Sequence, residues 1–380
     1  MMKVVIASDS FKGSMTSSEV ADVVSRSIKH VDDVDIVKIS ISDGGEGFVQ
    51  SILDVIDGEI IELDVVGPLG DEVKACYGLT KDRKTAIIEV AATSGICLVP
   101  ETKRNPLKTT TYGFGQLIID ALDKEVEKII IGLGGSATND CGMGMAEALG
   151  IKFFDKDNNE ITMLTGEKLD GVKTIDGSDI DPRINKVKFE VACDVDNPLV
   201  GENGAAYIFG PQKGANKEQV KILDNNLVNI AKIIYNTYGI EIATMHGAGA
   251  AGGLGAATKI FLGAEIKQGI NLVLDMINFD ELVKDADFII TGEGKMDSQS
   301  VRGKTPYGVL LRAKKYNVPV IGICGMMEDQ EVLINHGFEH VYSVVPKIAN
   351  IQESLNNPKY TLDLLMKEVV EELSNKKNLA

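Results

Sequence analysis

The sequence predicts an α/β protein with two α/β domains of unequal size. Short apolar runs rich in valine and isoleucine recur along its 380 residues, with helical stretches between them. Their apolar character is continuous rather than alternating, which is typical of strands covered on both faces. The chain is also longer than one ordinary domain, so each domain is expected to have its own core. The predicted strands are residues 4–7, 36–41, 60–66, 87–91, 129–133, 187–192, 288–291 and 318–324.

Two amphipathic helices are predicted between these strands. Apolar residues recur at helical spacing over residues 114–122 and again over residues 220–234, which gives each helix one apolar face. Residues 155–183 are polar and weakly patterned, and we interpret them as an excursion or a short β-hairpin region. The predicted caps are Thr109 or Thr110 at the start of the first helix, and Asn216 and Gly239 at the two ends of the second.

The composition limits which cellular compartment and which kinds of binding partner are expected. The formal net charge is −17 at pH 7, which argues against nucleic acid and anionic membrane as partners. The chain has no apolar run of about 18 residues, and its start lacks a signal-peptide pattern. Its 5 cysteines lack a C-x-x-C pair, and its 4 histidines lack a zinc-binding motif. We therefore expect a cytoplasmic protein that acts on small molecules.

Five glycine-rich polar segments directly follow predicted strands, where ligands bind in open α/β sheets. The first, residues 8–14, brings Asp9, Ser10 and Lys12 to a helix predicted to start at residue 16 or 17. Amide groups at that helix start, together with Lys12, would form an anion site. An ordinary turn is the structural alternative. The chain lacks the Walker motif G-x-x-x-x-G-K-[ST].

The second segment, residues 42–48, has the chemistry of a metal or hydroxyl site. Asp43 and Glu46 stand beside three glycines, which permit close backbone approach. They could hold Mg²⁺ or receive ligand hydroxyls. A tight Asp-Gly turn is the alternative.

The third segment, residues 131–145, has the composition of a phosphate-binding loop. A buried strand opens into glycines and small hydroxyls before a predicted helix, an arrangement that aims backbone amides at phosphate oxygens. A purely structural glycine turn is the alternative. The candidate residues are Gly132, Gly134, Gly135, Ser136, Thr138, Asn139 and Asp140.

The fourth and fifth segments supply further carboxylates and cations. Asp194 and Asp196 follow the strand predicted at 187–192, where a carboxylate can orient a hydroxyl nucleophile or bind Mg²⁺; turn chemistry explains Asp196 more readily. Residues 291–306 crowd glycines, acids and cations before a helix predicted to start at residue 305 or 306, which suits an anion and metal site. Two smaller clusters lie at residues 104–113 and 247–257. For each of them the sequence is equally compatible with a structural and a ligand-binding role.

Eight motifs occur in order along the chain. They are D-S-F-K-G-S, D-G-G-E-G, A-A-T-S-G-I, R-N-P-L-K-T-T-T-Y-G, G-L-G-G-S-A-T-N-D, C-D-V-x-N-P-L, G-A-G-A-A-G-G and T-G-E-G-x-x-D-x-Q-S-x-x-G-K. This is the order seen in bacterial glycerate kinases that act on D-glycerate, and the chain resembles that family from Val4 to about Asp363. The ordered set is far more specific than any one motif.

The resemblance implies a reaction and a domain arrangement. The γ-phosphoryl group of ATP would be transferred to a hydroxyl of D-glycerate, with Mg²⁺ as cofactor. Both chain ends would combine into a Rossmann-like domain, the middle of the chain would form a second α/β domain, and the active-site cleft would lie between them. The estimated limits are residues 1–65 plus 280–380 for the first domain and 66–279 for the second.

Roles for individual residues are hypotheses within this resemblance. Asp194 would orient the acceptor hydroxyl, and Lys12 and Arg302 would neutralise carboxylate or phosphoryl charge. Asp194 and Asp297 are the candidate metal ligands. The candidate substrate-binding residues are Asp9, Ser10, Asp43, Glu46, Asp297 and Gln299. The candidate nucleotide-binding residues are Gly132, Gly134, Gly135, Ser136, Thr138, Asn139, Gly292 and Gly294.

Several alternatives stay open at this point. We expect phosphorylation at the 2-hydroxyl by family resemblance, with 3-phosphoglycerate as the alternative product. A non-catalytic nucleotide or sugar-acid sensor would also keep glycine loops. G-L-G-G-S-A resembles the phosphate loop of GHMP kinases, but the other motifs do not follow that family. A Rossmann oxidoreductase would need a G-x-G-x-x-G after the first strand, which is absent. A homo-oligomer is left open.

Overall fold

The computed structural model describes residues 1–11, 13–29, 33–41 and 47–377, and it has the α/β architecture that the sequence predicts. The chain divides into two compact units. The terminal unit consists of the described residues of Met1–Asp43, Gln50–Ile56 and Ile270–Ala380, and the central unit of those of Gly44–Val49 and Asp57–Gly269. The domain limits estimated from the resemblance, 65/66 and 279/280, stay a prediction beside these bounds.

Strands and helices alternate over most of the described chain. The strands are β1 (Met2–Ser8), β2 (Val34–Ser40), β3 (Gly58–Val66), β4 (Glu72–Thr80), β5 (Thr85–Glu89), β6 (Lys128–Gly132), β7 (Lys152–Phe154), β8 (Thr174–Asp176), β9 (Lys188–Ala192), β10 (Glu265–Lys267), β11 (Phe288–Met296), β12 (Val320–Met327) and β13 (His340–Val345). The α-helices are α1 (Ser17–Ile28), α2 (Phe48–Leu53), α3 (Ala91–Ser94), α4 (Tyr112–Asp123), α5 (Met143–Ala148), α6 (Ala205–Phe209), α7 (Lys217–Tyr238), α8 (Leu254–Phe261), α9 (Gly269–Met276), α10 (Phe279–Val283), α11 (Thr305–Lys314), α12 (Gln330–His336), α13 (Ile351–Asn356) and α14 (Pro358–Lys377). Short 3₁₀ turns lie at Ile96–Leu98, Glu101–Lys103, Lys168–Asp170, Pro182–Lys186, Pro211–Lys213 and Ala250–Gly253.

The sheet of the terminal unit is parallel throughout. Its strand order is β13-β12-β11-β1-β2, and β1 is paired on both sides. The apolar residues at the centre of β1, Val4 to Ile6, are fully buried, as the continuous apolar run predicts. Helix α1 begins at a capping box in which Thr16 and Glu19 each accept a backbone hydrogen bond from the other. Its apolar face packs with α14 into the core on one face of this sheet.

The central unit contains a mixed sheet with the strand order β10-β9-β6-β5-β4-β3. The first four strands are parallel, whereas β4 is antiparallel to both of its neighbours. The run at residues 60–66 was predicted to be covered on both faces, and that prediction is wrong. It forms β3, an antiparallel edge strand in which Ile60 is 41% exposed. A separate antiparallel pair, β7 and β8, accounts for the polar stretch interpreted as an excursion or hairpin.

The helix caps were predicted with mixed success. Asn216 caps α7 by accepting from the amides of its second and third residues, and Gly239 ends the helix with φ +70°, as predicted. Helix α4 instead has Thr111 at its N-cap position, one residue after the predicted threonines. The Thr111 hydroxyl donates to Asp140 at 2.7 Å rather than capping its own helix. The predicted Thr110 hydroxyl accepts from the amide of Tyr112, the first residue of α4, at 3.1 Å, so Thr110 contributes to the helix start although it is not at the N-cap position.

Candidate active site

Polar residues gather at the carboxyl ends of β1 and β11 in the terminal unit. These strands are neighbours, but the chain order reverses between them, since β1 is followed by β2 on one side and β11 by β12 on the other. In open α/β sheets such a reversal leaves a crevice in which ligands bind. Asp9 and Ser10, which directly follow β1, therefore lie where a binding site is expected.

Asp9 is held by contacts to two other elements. Its backbone N–H donates to the carbonyl oxygen of Gly292 in β11 at 2.9 Å. Its Oδ1 accepts from the backbone N–H of Ser10 at 2.6 Å, and its Oδ2 accepts from the Thr305 hydroxyl, at the start of α11, at 3.2 Å. The residue is only 7% exposed. The orientation of this carboxylate is therefore fixed by the protein itself.

Strand β11 continues through the first part of the segment that the sequence predicted as a loop. Its pairing with β12 extends from Ile289 to Met296. A Cβ atom on Gly292 would lie 2.0 Å from the carbonyl oxygen of Ile323. Glycine is thus required at this position by the neighbouring strand, which is a packing reason rather than a ligand-binding one.

A carboxylate network follows Gly292. Ser300 is fully buried, and its hydroxyl donates to Glu293 Oε1 and accepts from the Asp297 amide at 3.0 Å. Glu293 Oε2 accepts from Lys304 Nζ at 3.0 Å. Burial opposes ionisation of Asp297, but hydrogen bonds from the Gln299 amide and from Lys295 outweigh it and hold the pKa of Asp297 below its ordinary value. The network therefore contains a carboxylate that stays ionised at neutral pH.

A cavity of about 330 Å³ opens beside this network, within the terminal unit. Asp9, Glu293 and Lys304 line one end, and apolar side chains from the ends of β12 and β13 and from α13 and α14 line the other. The structure thus brings Asp9, Ser10, Gly294 and the Asp297 segment to one edge of the sheet. Arg302 and Gln299 are exposed there.

Three of the predicted site residues lie outside the described part of the chain. They are Lys12, predicted to neutralise anionic charge, and Asp43 and Glu46, predicted to bind substrate. Their roles stay predictions.

In the central unit, the glycine-rich segment and Asp194 leave the sheet at the same edge. Strands β6 and β9 are parallel neighbours, and Gly132 at the end of β6 is paired with Ala192 at the end of β9. Within the glycine-rich segment, Gly135 is exposed and has φ +75°, a conformation that favours glycine. The predicted loop therefore presents backbone to solvent chiefly around this residue.

The polar side chains that follow in this segment point into the protein. Ser136 is 7% exposed, and Thr138 and Asn139 are fully buried. The Thr138 hydroxyl and both amide atoms of Asn139 have no hydrogen-bond partner among the described residues. Buried polar groups without partners are rare. The structure thus does not present these two side chains to solvent, although the sequence placed them among the nucleotide-binding residues.

Two buried charged residues fix this segment, and the sequence reasoning missed one of them entirely. Lys213 is 3% exposed, and its Nζ donates to Ser136 Oγ at 2.9 Å and to the Thr138 carbonyl oxygen at 2.7 Å. Burial lowers the pKa of Lys213 to about 7, against the opposing effect of the Asp140 charge. Its sequence context, G-P-Q-K-G, carries no signal that separates it from a solvated lysine.

Asp140 is the second buried charged residue. It is fully buried and accepts hydrogen bonds from the amide and hydroxyl of Thr111 at 2.8 and 2.7 Å, and from the amides of Gly142 and Gly144 at 3.2 and 3.3 Å. Burial raises the pKa of Asp140, and these donors oppose the rise. The carboxylate joins the start of α4 to the turn before α5.

The segment at residues 247–257 has a packing role. A Cβ atom on Gly252 would lie 2.0 Å from the carbonyl oxygen of Thr138, and one on Gly253 would lie 2.7 Å from Cα of Cys141. Both glycines have positive φ. This second glycine-rich segment therefore lies directly against the first and limits its freedom.

Single carboxylates in each unit have the donor chemistry that magnesium requires. Asp194 is exposed, and its Oδ1 accepts from the Gly269 amide at 2.9 Å. The described residues contain no cluster of three or more histidine, cysteine or acidic side chains suited to a metal. Mg²⁺ in phosphoryl-transfer sites usually needs only one or two protein carboxylates, because water and phosphate supply the other ligands. Asp297 and Asp194 have this donor chemistry.

Comparison with known proteins decides the family. The glycerate kinase family profile matches residues 4–374. The chain belongs to the glycerate kinase family. It is 52% identical over 357 residues to a glycerate kinase of Halalkalibacterium halodurans, covering 93% of this chain and 94% of that protein. It is 47% identical over 355 residues to the glycerate 2-kinase of Escherichia coli K12, covering 93% of each chain.

A solved structure agrees with this assignment. The crystal structure of a candidate glycerate kinase 2 from Salmonella typhimurium LT2 is similar to this chain with a TM-score of 0.86 and 43% sequence identity, covering 99% of both chains. The predicted membership of the glycerate kinase family and the predicted α/β fold are confirmed. As a glycerate kinase, the protein is a phosphotransferase, and its family implies ATP as donor and glycerate as acceptor. No helix among the described residues is long and apolar enough to cross a membrane.

Proposed function

We propose that this enzyme transfers the γ-phosphoryl group of MgATP to the 2-hydroxyl of D-glycerate and releases 2-phosphoglycerate and ADP. The observation that carries the regiochemistry is the similarity, over 93% of each chain, to a protein named glycerate 2-kinase. The ordered carboxylates at the sheet edges supply the chemistry. Phosphoryl transfer needs positioning and charge stabilisation more than covalent catalysis.

The acceptor is proposed to be activated from the central unit. Asp194 would accept a hydrogen bond from the attacking hydroxyl of glycerate and take its proton as the new O–P bond forms. The Gly269 amide, which donates to Asp194 Oδ1 at 2.9 Å, helps to orient this carboxylate. The exposure of Asp194 at the end of β9 gives a substrate access to it.

Charge on the reactants is proposed to be balanced by cationic side chains and by backbone amides. Lys12 and Arg302 would neutralise carboxylate or phosphoryl charge, and Asp9, Ser10, Asp43, Glu46 and Gln299 would bind the glycerate oxygens. Backbone amides of the glycine-rich segments, from Gly132 to Asn139 and at Gly294, would face nucleotide phosphates. Gly292 was also predicted to bind the nucleotide, but it is buried within β11, where its carbonyl oxygen accepts from the Asp9 amide. For the first segment, the exposed backbone around Gly135 is the part that is accessible to them.

Mg²⁺ is proposed as the cofactor. The candidate ligands are Asp297, whose pKa is held below its ordinary value, and Asp194. When bound, the ion would neutralise charge on the transferred phosphoryl group.

The cytoplasm is proposed as the compartment. All 5 cysteines are free thiols, which is typical of proteins kept in a reducing environment.

The test of the product is incubation of purified protein with MgATP and D-glycerate, followed by phosphorus NMR. We expect the signal of 2-phosphoglycerate and none of 3-phosphoglycerate in the initial phase. A 3-phosphoglycerate signal would overturn the regiochemistry alone. No phosphorylated product from folded protein would overturn the proposed acceptor.

The role of Asp194 is tested by Asp194→Asn, with Asp196→Asn as the matched control. Asp196 is two residues away, is also exposed and pairs with His246 at 3.0 Å. Because the amide cannot take a proton, we expect Asp194→Asn to lower kcat by about a hundredfold or more. The control should stay within about twofold. Turnover of Asp194→Asn within about tenfold of wild type would contradict a role as base.

A further inference from the structure

The cavity in the terminal unit has an apolar end that the roles proposed so far do not use. Its polar end is lined by Asp9, Glu293 and Lys304. Its other end is formed at the carboxyl ends of β12 and β13 and by the helices that follow them. The apolar lining residues there are Met326, Val344, Val345, Ile351, Leu355 and Leu362.

Part of this apolar end faces solvent. Ile351 is 57% exposed and Leu355 is 50% exposed, although both line the cavity. They are four residues apart in α13 and so lie on one face of that helix. Leu362, which also lines the cavity, is by contrast fully buried. This slot, the apolar end of the cavity, therefore combines buried and solvent-exposed apolar side chains, as a site that admits a small molecule from solvent would.

The two reactants differ in what they can place in such a slot. Each of the three carbons of glycerate carries oxygen, so glycerate has no apolar part to bury. ATP has one planar, weakly polar group, its purine base. Burial of apolar surface is favourable only for a ligand that has such surface to bury.

We propose that the apolar end of this cavity binds the purine base of ATP. The inference rests on the proposed function only in taking ATP as the phosphoryl donor. The position of the slot supports it, since the slot adjoins the reversal in strand order between β1 and β11, where doubly wound sheets bind nucleotides. A volume of about 330 Å³ lies within the range of small-molecule pockets.

A hydroxyl at the slot gives the site a preference among purines. Thr361 lines the cavity, and its hydroxyl donates to a backbone carbonyl of the preceding turn, Asn357 at 3.2 Å or Pro358 at 3.1 Å. Its oxygen is then available to a ligand only as an acceptor. The 6-amino group of adenine is a donor, whereas the 6-oxo group of guanine is an acceptor. The slot should therefore favour ATP over GTP.

The variant that tests the slot is Leu355→Gln, with Leu311→Gln as the matched control. Leu311 is 44% exposed on α11 of the same unit and does not line the cavity. Both residues are about half exposed, so neither substitution should unfold the protein. We expect Leu355→Gln to raise the KM for ATP about tenfold, with the KM for glycerate and kcat unchanged. The control should leave all three parameters within twofold of wild type.

A binding measurement separates this proposal from the proposed function. Adenosine, which has no phosphate to transfer, is titrated into wild type and both variants by calorimetry. Adenosine binding that is lost in Leu355→Gln and kept in Leu311→Gln would support the slot even if glycerate were not the acceptor. Unchanged adenosine binding and an unchanged KM for ATP in Leu355→Gln would overturn it even if the kinase activity stood. A rise in the KM for glycerate alone would also overturn it.

The base preference is tested with Thr361→Val, which keeps the shape of the side chain and removes the oxygen. The ratio of kcat/KM for ATP to that for GTP should fall about tenfold, mainly through the KM for ATP. A ratio that stays within twofold of wild type would contradict the assignment of Thr361 as the purine acceptor.

Discussion

The segments at residues 131–145 and 291–306 both combine glycines with polar residues, but the protein fixes their shapes in different ways. The first is held by buried charges, Lys213 and Asp140, and by close backbone packing against a second glycine-rich segment. The second begins as a β-strand and continues into a turn held by half-exposed ion pairs beside an open cavity. Glycine after a strand thus indicates close backbone approach, but it does not say whether the approaching group is a ligand or the protein itself.

The largest expected effect is that of Gly252→Ala, which tests close packing in the central unit. Gly252 has φ +70°, and its added Cβ would lie 2.0 Å from the Thr138 carbonyl oxygen. Gly239 has the same φ and no atom within 4 Å of an added Cβ. We expect Gly252→Ala to lower the free energy of unfolding by about 3 kcal/mol or more, and Gly239→Ala by about 1 kcal/mol. Urea unfolding measures both, and equal losses would mean that packing against Thr138 is unimportant.

The next effect in size is that of Lys213→Met. The substitution leaves Ser136 Oγ and the Thr138 carbonyl oxygen without their buried donor, which should cost about 1–3 kcal/mol. Lys221→Met, on the exposed side of α7, is the control and should change stability by less than about 0.5 kcal/mol. A loss for Lys213→Met no larger than that of the control would show that the buried lysine does not hold the segment.

The same variant has a pH signature. Lys213 has a pKa of about 7 in the folded protein against an ordinary value of 10.5. Between those pH values the unfolded chain binds a proton that the folded protein has released, so stability contributed by Lys213 rises with pH across this window. The difference in unfolding free energy between wild type and Lys213→Met should therefore grow from pH 7 to pH 9.5. A constant difference would contradict the burial of this ammonium group.

How well the sequence predicts a strand depends on how fully that strand is buried. The buried runs at residues 4–7, 129–133 and 288–291 all lie in parallel strands, because continuous apolar character requires cover on both faces. Strand β4 was missed, since its alternating polar and apolar residues belong to a half-exposed antiparallel neighbour. Local pattern thus predicts the centres of the sheets better than their edges.

The residues of the candidate site also include some that the sequence could predict and some that it could not. Asp9 and Asp194 could be predicted as site residues because each lies within two residues of the end of a strand, and in the structure each lies at the carboxyl ends of the strands of its sheet. Lys213 could not, because its burial depends on contacts to residues 75 and 77 positions earlier in the chain. The sequence left Gly252 open between a ligand-binding role and a packing role. Only the folded structure shows that the Thr138 carbonyl lies against it. Long-range contacts therefore decide which polar residues face the ligand.

Ser300→Ala should have a smaller effect than Lys213→Met. The Ser300 hydroxyl joins Glu293 to the Asp297 amide, and its loss removes two hydrogen bonds from a site that Lys304 still neutralises in part. We expect a loss of about 1–2 kcal/mol in urea unfolding. The neighbouring Ser298→Ala, at a half-buried position, should cost less than about 0.5 kcal/mol. Equal effects at the two serines would argue against a structural carboxylate network.

The smallest effect is expected for Lys304→Met, and it bears directly on the contrast between the two segments. The Lys304 side chain is 40% exposed, so its ion pair with Glu293 is solvated and should contribute less than about 1 kcal/mol. Because salt screens exposed charges, the loss should shrink further when unfolding is measured in about 1 M NaCl. Lys213→Met, whose lysine is buried, should keep its full effect in the same salt. If both variants responded equally to salt, the two segments would be held by the same kind of interaction. The contrast between a segment held by buried charged residues and one held by half-exposed ion pairs would then be lost.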